Sequence, residues 1–484
     1  MGRLIDCETA FDPKRNKHST WKKAKDRLID EVWPNLTPSF QLREEMKVFT
    51  IGSCFARNIE EHLYRLGFKI PMLDFKVPRE EWGSRPAGIL NKYTPPSIFQ
   101  EIEWAKKIYL RNGAIRESDS ELFLYECSDG LCIDLNLSGF VPVSRARFFE
   151  RRREIYEIFK ELFSSGCVVM TLGLIEAWLD RENGVYIQEA PIGREFAKKR
   201  ARFAFECLTY EQCRSYIQKS VDAIREINQD AKFLITTSPV PLIRTFTDQD
   251  VIVANTQSKS VLRAVAGDVA EANPDMDYFP SYESVNITKS WNIWSDDLMH
   301  VSDSFVAKIV SRMTEIYCSG VNVGRRQFLQ SYIALKDQEL DSAVELGRQA
   351  VETAPDHADS HKLLAQLFLQ KGDLKAAESE FEKAIELDPN DPAVHFQLSQ
   401  VFESQGRSMD AIRAARRSTE LAPDSEKYRR HLAQLWLKKR NFPKAITQMV
   451  LLTGYRCLRR TKNHSLKKVL RFILPQLRQS ERVS

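Results

Sequence analysis

The chain has 484 residues, 43% hydrophobic and 28% charged, with a formal net charge of +5. That length exceeds one ordinary core and predicts two or three domains. The composition is that of a globular protein, and no apolar run of about 18 residues is present to form a membrane-spanning helix. The nine cysteines are odd in number and scattered, and Cys127 and Cys132 do not complete a zinc pattern. Reduced thiols and a cytoplasmic location are the expectation, with no metal and no cofactor. The charge is uneven. Arg456 to Ser484 carries nine Lys/Arg against one Glu, a net of +8, so the rest of the chain carries −3.

Residues 1–45 are polar and mixed, and Trp21 and Trp33-Pro34 suggest a leader that wraps a domain. The N-terminus lacks the apolar stretch of a signal peptide. Val48-Phe49-Thr50-Ile51-Gly52-Ser53-Cys54-Phe55-Ala56-Arg57-Asn58 then predicts a short strand, a glycine turn and a helix with Ile59, Leu63 and Leu66 on its apolar face. Such a turn leaves small polar side chains at a helix N-terminus, where free N–H groups favour an anion. A cysteine placed there can react as thiolate. An N-cap is the alternative role for Ser53.

Residues 82–95 follow as a Gly/Pro-rich loop carrying Asn91. Amphipathic helices are predicted over 97–110 and 144–164. The second carries Arg145, Arg147, Arg151, Arg152 and Arg153, which reads as a solvated face or a ligand-facing one. Gly166-Cys167-Val168-Val169-Met170-Thr171-Leu172-Gly173 is a continuous apolar run of the buried parallel-strand type, followed by Ile175, Glu176 and Trp178. Lys232–Pro241 repeats that pattern, and a helix is predicted from Asn255. Strands alternating with helices imply an α/β fold with a mostly parallel sheet. Asp297-Leu298-Met299-His300 precedes a helix at Phe305–Tyr317. A histidine can take a nucleophile's proton while a carboxylate fixes its tautomer. His18 and His62 are the other histidines of residues 1–322, and His62 suits a structural role.

Gly52-Ser53-Cys54-Phe55-Ala56 matches the signature of the GSCFA family, grouped with the SGNH (GDSL-type) hydrolases, and the resemblance spans most of residues 45–315. It implies a three-layer α/β/α hydrolase-like domain. Asp297 and His300 resemble the DxxH of that group. Laid on Gly-Asp-Ser-Leu-Ser-Arg-Asn, the motif places Cys54 on the nucleophile; a register shift of one makes it Ser53 instead. Both stay open. Gly52, Asn91, Gly173 and Glu176 are the implied oxyanion or substrate-binding positions. Ile175 stands where the group usually has Asn, so the usual side-chain donor is missing. The resemblance implies attack on an ester, hydrolysed or passed to an acceptor, with an acylated small molecule or glycan as substrate.

Beyond residue 323 the chain repeats. Pro355, Pro389 and Pro423 lie 34 apart, as do Ala343, Ala377, Ala411 and Ala445, and Leu364, Leu398 and Leu432. Period and pattern are similar to the tetratricopeptide repeat, with copies at about 324–357, 358–391, 392–425 and 426–456. A solenoid of this type offers a groove for a protein or peptide partner. The domain order expected is therefore a leader (1–45), a hydrolase-like domain (46–322), repeats (324–456) and a basic tail (457–484). In the tail Leu466, Val469, Leu470 and Ile473 form an apolar face, suited either to capping the solenoid or to weak contact with an anionic membrane or nucleic acid. A competing function is a non-catalytic adaptor whose hydrolase-like domain only binds a ligand.

Overall fold

The computed structural model describes residues 6–11, 20, 28, 31–81, 86–318 and 320–460. His18, residues 82–85 of the Gly/Pro loop and residues 461–484 of the basic tail lie outside them. The chain divides into two compact units, Met1–Gly320 and Val321–Ser484.

In the first unit, β1 (Val48–Gly52) runs into α1 (Cys54–Arg65). There follow α2 (Pro95–Tyr109), a hairpin of β2 (Leu124–Glu126) and β3 (Cys132–Asp134), and α3 (Arg145–Phe159). Next come β4 (Cys167–Leu172), then β5 (Glu176–Asp180), β6 (Val185–Ile187) and β7 (Phe203–Cys207). The unit closes with α4 (Tyr210–Arg225), β8 (Lys232–Thr237), α5 (Val251–Ala272), β9 (Met276–Tyr278) and α6 (Asp303–Tyr317). The central sheet has the order β1-β4-β8-β9, and every pair in it is parallel. Its strands are the continuous apolar runs of the sequence, which is how strands covered on both faces read. Lys47 and Lys69 form a single parallel bridge beside β1, the only trace of a further strand on that edge among the described residues. α1 packs on α6, while α2 packs on α4 and α4 on α5. The antiparallel sheet β6-β5-β7 grows from the loop after β4.

The described part of the leader is structured by its aromatics. Trp33 stacks on Phe305 with centroids 5.4 Å apart, and Phe40 meets Tyr317 at 5.3 Å. Leu42 donates its N–H to the Tyr317 carbonyl at 2.6 Å and bridges Cys318, so the entry of the unit is clasped to its exit.

The arginine-rich helix α3 departs from the solvated reading. Arg151 and Arg152 are buried and ion-paired inside the unit. Arg152 reaches Glu101 at 2.9 Å and Asp134 at 2.6 Å, and Lys92 meets Glu101 at 2.8 Å. Two cations thus face two carboxylates away from water, and buried charges persist only when so paired. Spacing along α3 could not reveal this, because the partners come from α2 and β3.

The second unit is four helix pairs: α7 (Val323–Lys336) with α8 (Leu340–Thr353), α9 (Ala358–Lys371) with α10 (Leu374–Leu387), α11 (Pro392–Ser404) with α12 (Ser408–Leu421), and α13 (Glu426–Lys438) with α14 (Phe442–Arg460). The recurrent Ala343, Ala377, Ala411 and Ala445 are buried, where a small side chain lets paired helices approach. The recurrent prolines act through their carbonyls. A ring nitrogen of His361 lies 2.9 Å from Pro355 O, one of His395 lies 3.0 Å from Pro389 O, and Arg429 Nε donates to Pro423 O at 2.5 Å. A side chain six residues on thus closes each connector.

Candidate active site

The β1–α1 turn can be made only by glycine at position 52. Its φ is +135°, and a Cβ there would lie 2.1 Å from the Thr171 carbonyl oxygen on β4. The Gly52 carbonyl accepts from Lys92 N at 2.7 Å, which ties the 91–94 segment to the turn. Behind the turn, Arg57 pairs with Glu60 at 2.8 Å and donates to the Thr50 carbonyl at 3.0 Å, so this part of the motif is structural.

Ser53 and Cys54 are separated by this geometry. Ser53 is the N-cap of α1 and buried; its Oγ accepts from Phe55 N at 3.4 Å and lies 3.2 Å from Thr171 Oγ1. Its N–H donates to Thr171 Oγ1 at 2.9 Å. Cys54 is half-exposed in the first turn of α1, beside the unpaired N–H groups of the helix end.

His300 lies opposite. Its Nδ1 is 2.6 Å from Asp297 Oδ2, and its backbone N–H donates to Asp297 Oδ1 at 2.9 Å. Cys54 and His300 line the same cavity, and the Cys54 side chain is the largest influence on the ring. That influence pushes His300 up to about 9; partial burial opposes it and Asp297 reinforces it. Asp297 is held well below the usual carboxylate range by the backbone N–H of His300, then by its ring and by Met299 N. His62 is elsewhere, buried and 3.3 Å from Asp303.

A cavity of about 500 Å³ opens between Cys54 and His300 and is lined further by Asn91, Gly173, Glu176 and Trp178. Gly173 is also fixed by close approach, since a Cβ would lie 2.7 Å from the Tyr93 carbonyl oxygen. Asn91 donates to Tyr93 Oη at 3.1 Å, and its Oδ1 is buried with no protein partner. Glu176 is spent on the wall: it accepts from Thr245 Oγ1 at 2.6 Å and Phe246 N at 2.9 Å. The Ile175 side chain is buried, and its N–H donates to Ser258 Oγ at 3.1 Å. Of the expected residues, Ser53, Cys54, Asn91, Gly173, Glu176 and His300 line the cavity; Asp297 stands behind His300 and Gly52 shapes the turn.

Three residues at or beside the cavity escape a reading of the sequence. Tyr93 lines it and is pushed above its ordinary value by burial, and next by the charge of Cys54. Gln188 lines it with its side chain buried and both amide atoms unpartnered. Lys259 on α5 is buried, with Nζ 2.7 Å from the Gly173 carbonyl. Its signal was a lysine spaced three, seven and ten residues before the apolar Leu262, Ala266 and Val269.

A parallel α/β unit with a thiol, an imidazole and a carboxylate converging after β1, followed by a helical repeat module of the protein-interaction type, defines a hydrolase-like domain coupled to tetratricopeptide repeats. The chain belongs to the GSCFA family, whose model matches residues 47–313. A tetratricopeptide repeat model matches 334–400 and 368–435. No curated protein matches the chain. Among solved structures it is similar to MamA, at 15% identity and a TM-score of 0.28 over 32% of this chain and 86% of that one. MamA from Desulfovibrio magneticus RS-1 gives 15%, 0.29, 33% and 86% in the same terms. Among the described residues no helix is long and apolar enough to cross a membrane.

Proposed function

We propose that the first unit is an acyl hydrolase or acyltransferase with Cys54 as nucleophile, His300 as general base and acid, and Asp297 as the group that orients His300. The observation that carries this reading is the imidazole bonded to Asp297 and lining one 500 Å³ cavity with Cys54. The raised His300 value keeps a proton on the imidazole, and a thiolate beside an imidazolium is the form in which a cysteine needs least help from its base. The thiolate attacks the ester carbonyl, and its sulfur–carbon bond replaces the carbon–oxygen bond of the leaving alcohol. His300 gives that alkoxide its proton, then takes one from water or an acceptor hydroxyl as the thioester is cleaved. The oxyanion falls to the Cys54 N–H in the first turn of α1, with Gly173 alongside, while Asn91, whose amide donates to Tyr93, borders the substrate. Ser53 is spent as cap and is not assigned the attack.

The alcohol half is proposed to be polyhydroxylated, as on a glycan. Trp178 and Phe246 form an aromatic wall with centroids 5.1 Å apart, and the unpartnered amide atoms of Gln188 and Asn91 offer neutral hydrogen bonds beside it. The repeats would bring this unit to a protein or peptide partner.

The test is labelling of wild type, Cys54→Ala, Ser53→Ala and His300→Ala with a thiol-directed probe and a fluorophosphonate, followed by peptide mapping. Rapid labelling at Cys54 that His300→Ala slows by about 10²-fold or more is expected. Labelling no faster than that of the other cysteines would move the reading to a non-catalytic ligand site, which the burial of Ile175 in the usual Asn position favours.

A further inference from the structure

Lys92 and Lys259 are both wholly buried, and burial of an ammonium is costly unless a charge compensates it. Lys92 has such a partner, Glu101 at 2.8 Å. Lys259 has none: among the described residues its hydrogen bond is to the neutral Gly173 carbonyl, and the ionisable group whose charge reaches it is Cys54. His300 lines the same cavity as Cys54, with Asp297 behind it.

We propose that Lys259 is a positioning residue of the Cys54 site, whose buried ammonium orients the Gly173 peptide and supplies the positive charge that matches Cys54 as a thiolate. This rests on the reading of Cys54 as the nucleophile.

The geometry argues for both parts of the role. The segment after β4 is held at three backbone groups by neighbours: Gly173 O by Lys259, Leu174 N by the Tyr93 carbonyl at 2.8 Å, and Ile175 N by Ser258 Oγ. Ser258 and Lys259 are adjacent on α5, so one turn of that helix sets the cavity floor. A neutral Gln or Asn could hold a carbonyl as well without the cost of a buried charge. An ammonium is matched only if an anion forms nearby; Tyr93, Glu176 and Glu189 share the cavity, but the ionisable group whose charge reaches Lys259 is Cys54. Desolvation pushes Lys259 down to about 7, and the charge of Cys54 opposes that fall. The thiolate is then matched by two cations, the imidazolium of His300 and the ammonium of Lys259.

The experiment is the pH profile of Cys54 alkylation by iodoacetamide, read by peptide mapping, in wild type, Lys259→Met, Lys259→Gln and His300→Ala. Lys259→Gln keeps a donor for Gly173 and drops the charge. Both lysine variants are expected to raise the midpoint of the profile by about one unit and to slow alkylation at pH 7 about tenfold. Midpoints unchanged in both would overturn the proposal. So would a shift in Lys259→Met that Lys259→Gln abolishes, since that assigns positioning without charge. Should Lys259→Met not fold, the Gln variant alone decides. The midpoint can be read whether or not Cys54 turns over an ester. A shift in the Lys259 variants beside indifference to His300→Ala would therefore remove His300 as the base of Cys54 without touching the charge role of Lys259.

Discussion

Replacing Arg152 by Met removes one of the two cations in the buried cluster behind the cavity wall. Arg152 is fully buried, pairs with Glu101 and Asp134 at 2.9 and 2.6 Å, and lies 4.2 Å from the Phe123 ring centroid and 5.1 Å from that of Trp104. Lys92 and Arg152 balance Glu101 and Asp134; without Arg152 the cluster keeps Lys92 on Glu101, and Asp134 loses its ion pair and keeps only the unbridged charge of Arg151. Breaking a buried pair by removing one partner costs about 3–5 kcal/mol, and the lost cation–π contacts raise the figure within that range while the packing of Met lowers it. Guanidinium unfolding followed by tryptophan emission measures the loss, since seven of the eight tryptophans precede residue 321. Arg152→Met with Asp134→Asn restores the charge balance and is expected to recover at least about 2 kcal/mol of the loss. A loss below about 1 kcal/mol in the single variant, or no recovery in the double, would refute the assignment of this cluster as a charge-matched core. Because Lys92 is next to Asn91 and Tyr93, the same variant is expected to blunt the selective alkylation of Cys54.

Ser53→Ala should cost about 1 kcal/mol of stability through the lost cap and leave Cys54 labelling in place; loss of labelling with the fold intact would restore Ser53 as the nucleophile. The His300 ring, followed by NMR, should titrate near 9 and move down toward its ordinary value in Cys54→Ala, because the sulfur is the main cause of the rise. A folded value raised from 6.5 to about 9 makes this contribution to stability complete below 6.5 and lost as pH climbs through 9. Denaturation midpoints of wild type and His300→Ala should therefore converge across that window, and a constant gap would contradict the linkage. His361→Ala should lower the stability of the repeat unit by about 1–2 kcal/mol through loss of its bonds to Pro355 O and Glu380, checked by circular dichroism; no change would show that the connector closes without it.

What could be read in the sequence was whatever neighbouring residues write together. The strand–glycine–helix of 48–66, the Asp297–His300 pair and the 34-residue period are local patterns, and each folds as its spacing implies. What could not be read was the partner of a buried charge. Arg151 and Arg152 look like any exposed arginines along α3, because Glu81, Glu101 and Asp134 come from distant segments. Gln188 carried no local signal, and Lys259 showed only its place on the apolar face of α5, not the Gly173 carbonyl it meets. Glu176 was visible as a candidate, but its two bonds to Thr245 and Phe246 depend on a loop about 70 residues away. The choice between Ser53 and Cys54 was open in the motif and turns on Thr171, a residue of the adjacent strand.

The clasp between Leu42 and Cys318 makes the hydrolase-like unit a cassette whose two ends meet. Chain entering and chain leaving lie side by side, so tension applied at both ends falls first on the leader contacts of Val32 with Thr288 and Trp33 with Phe305, then on the Leu42–Tyr317 bond, rather than on the parallel sheet. Units with adjoining ends tolerate transplantation and circular permutation. This one can accordingly be cut near residue 320 and spliced into another chain at a single point, carrying its cavity with it.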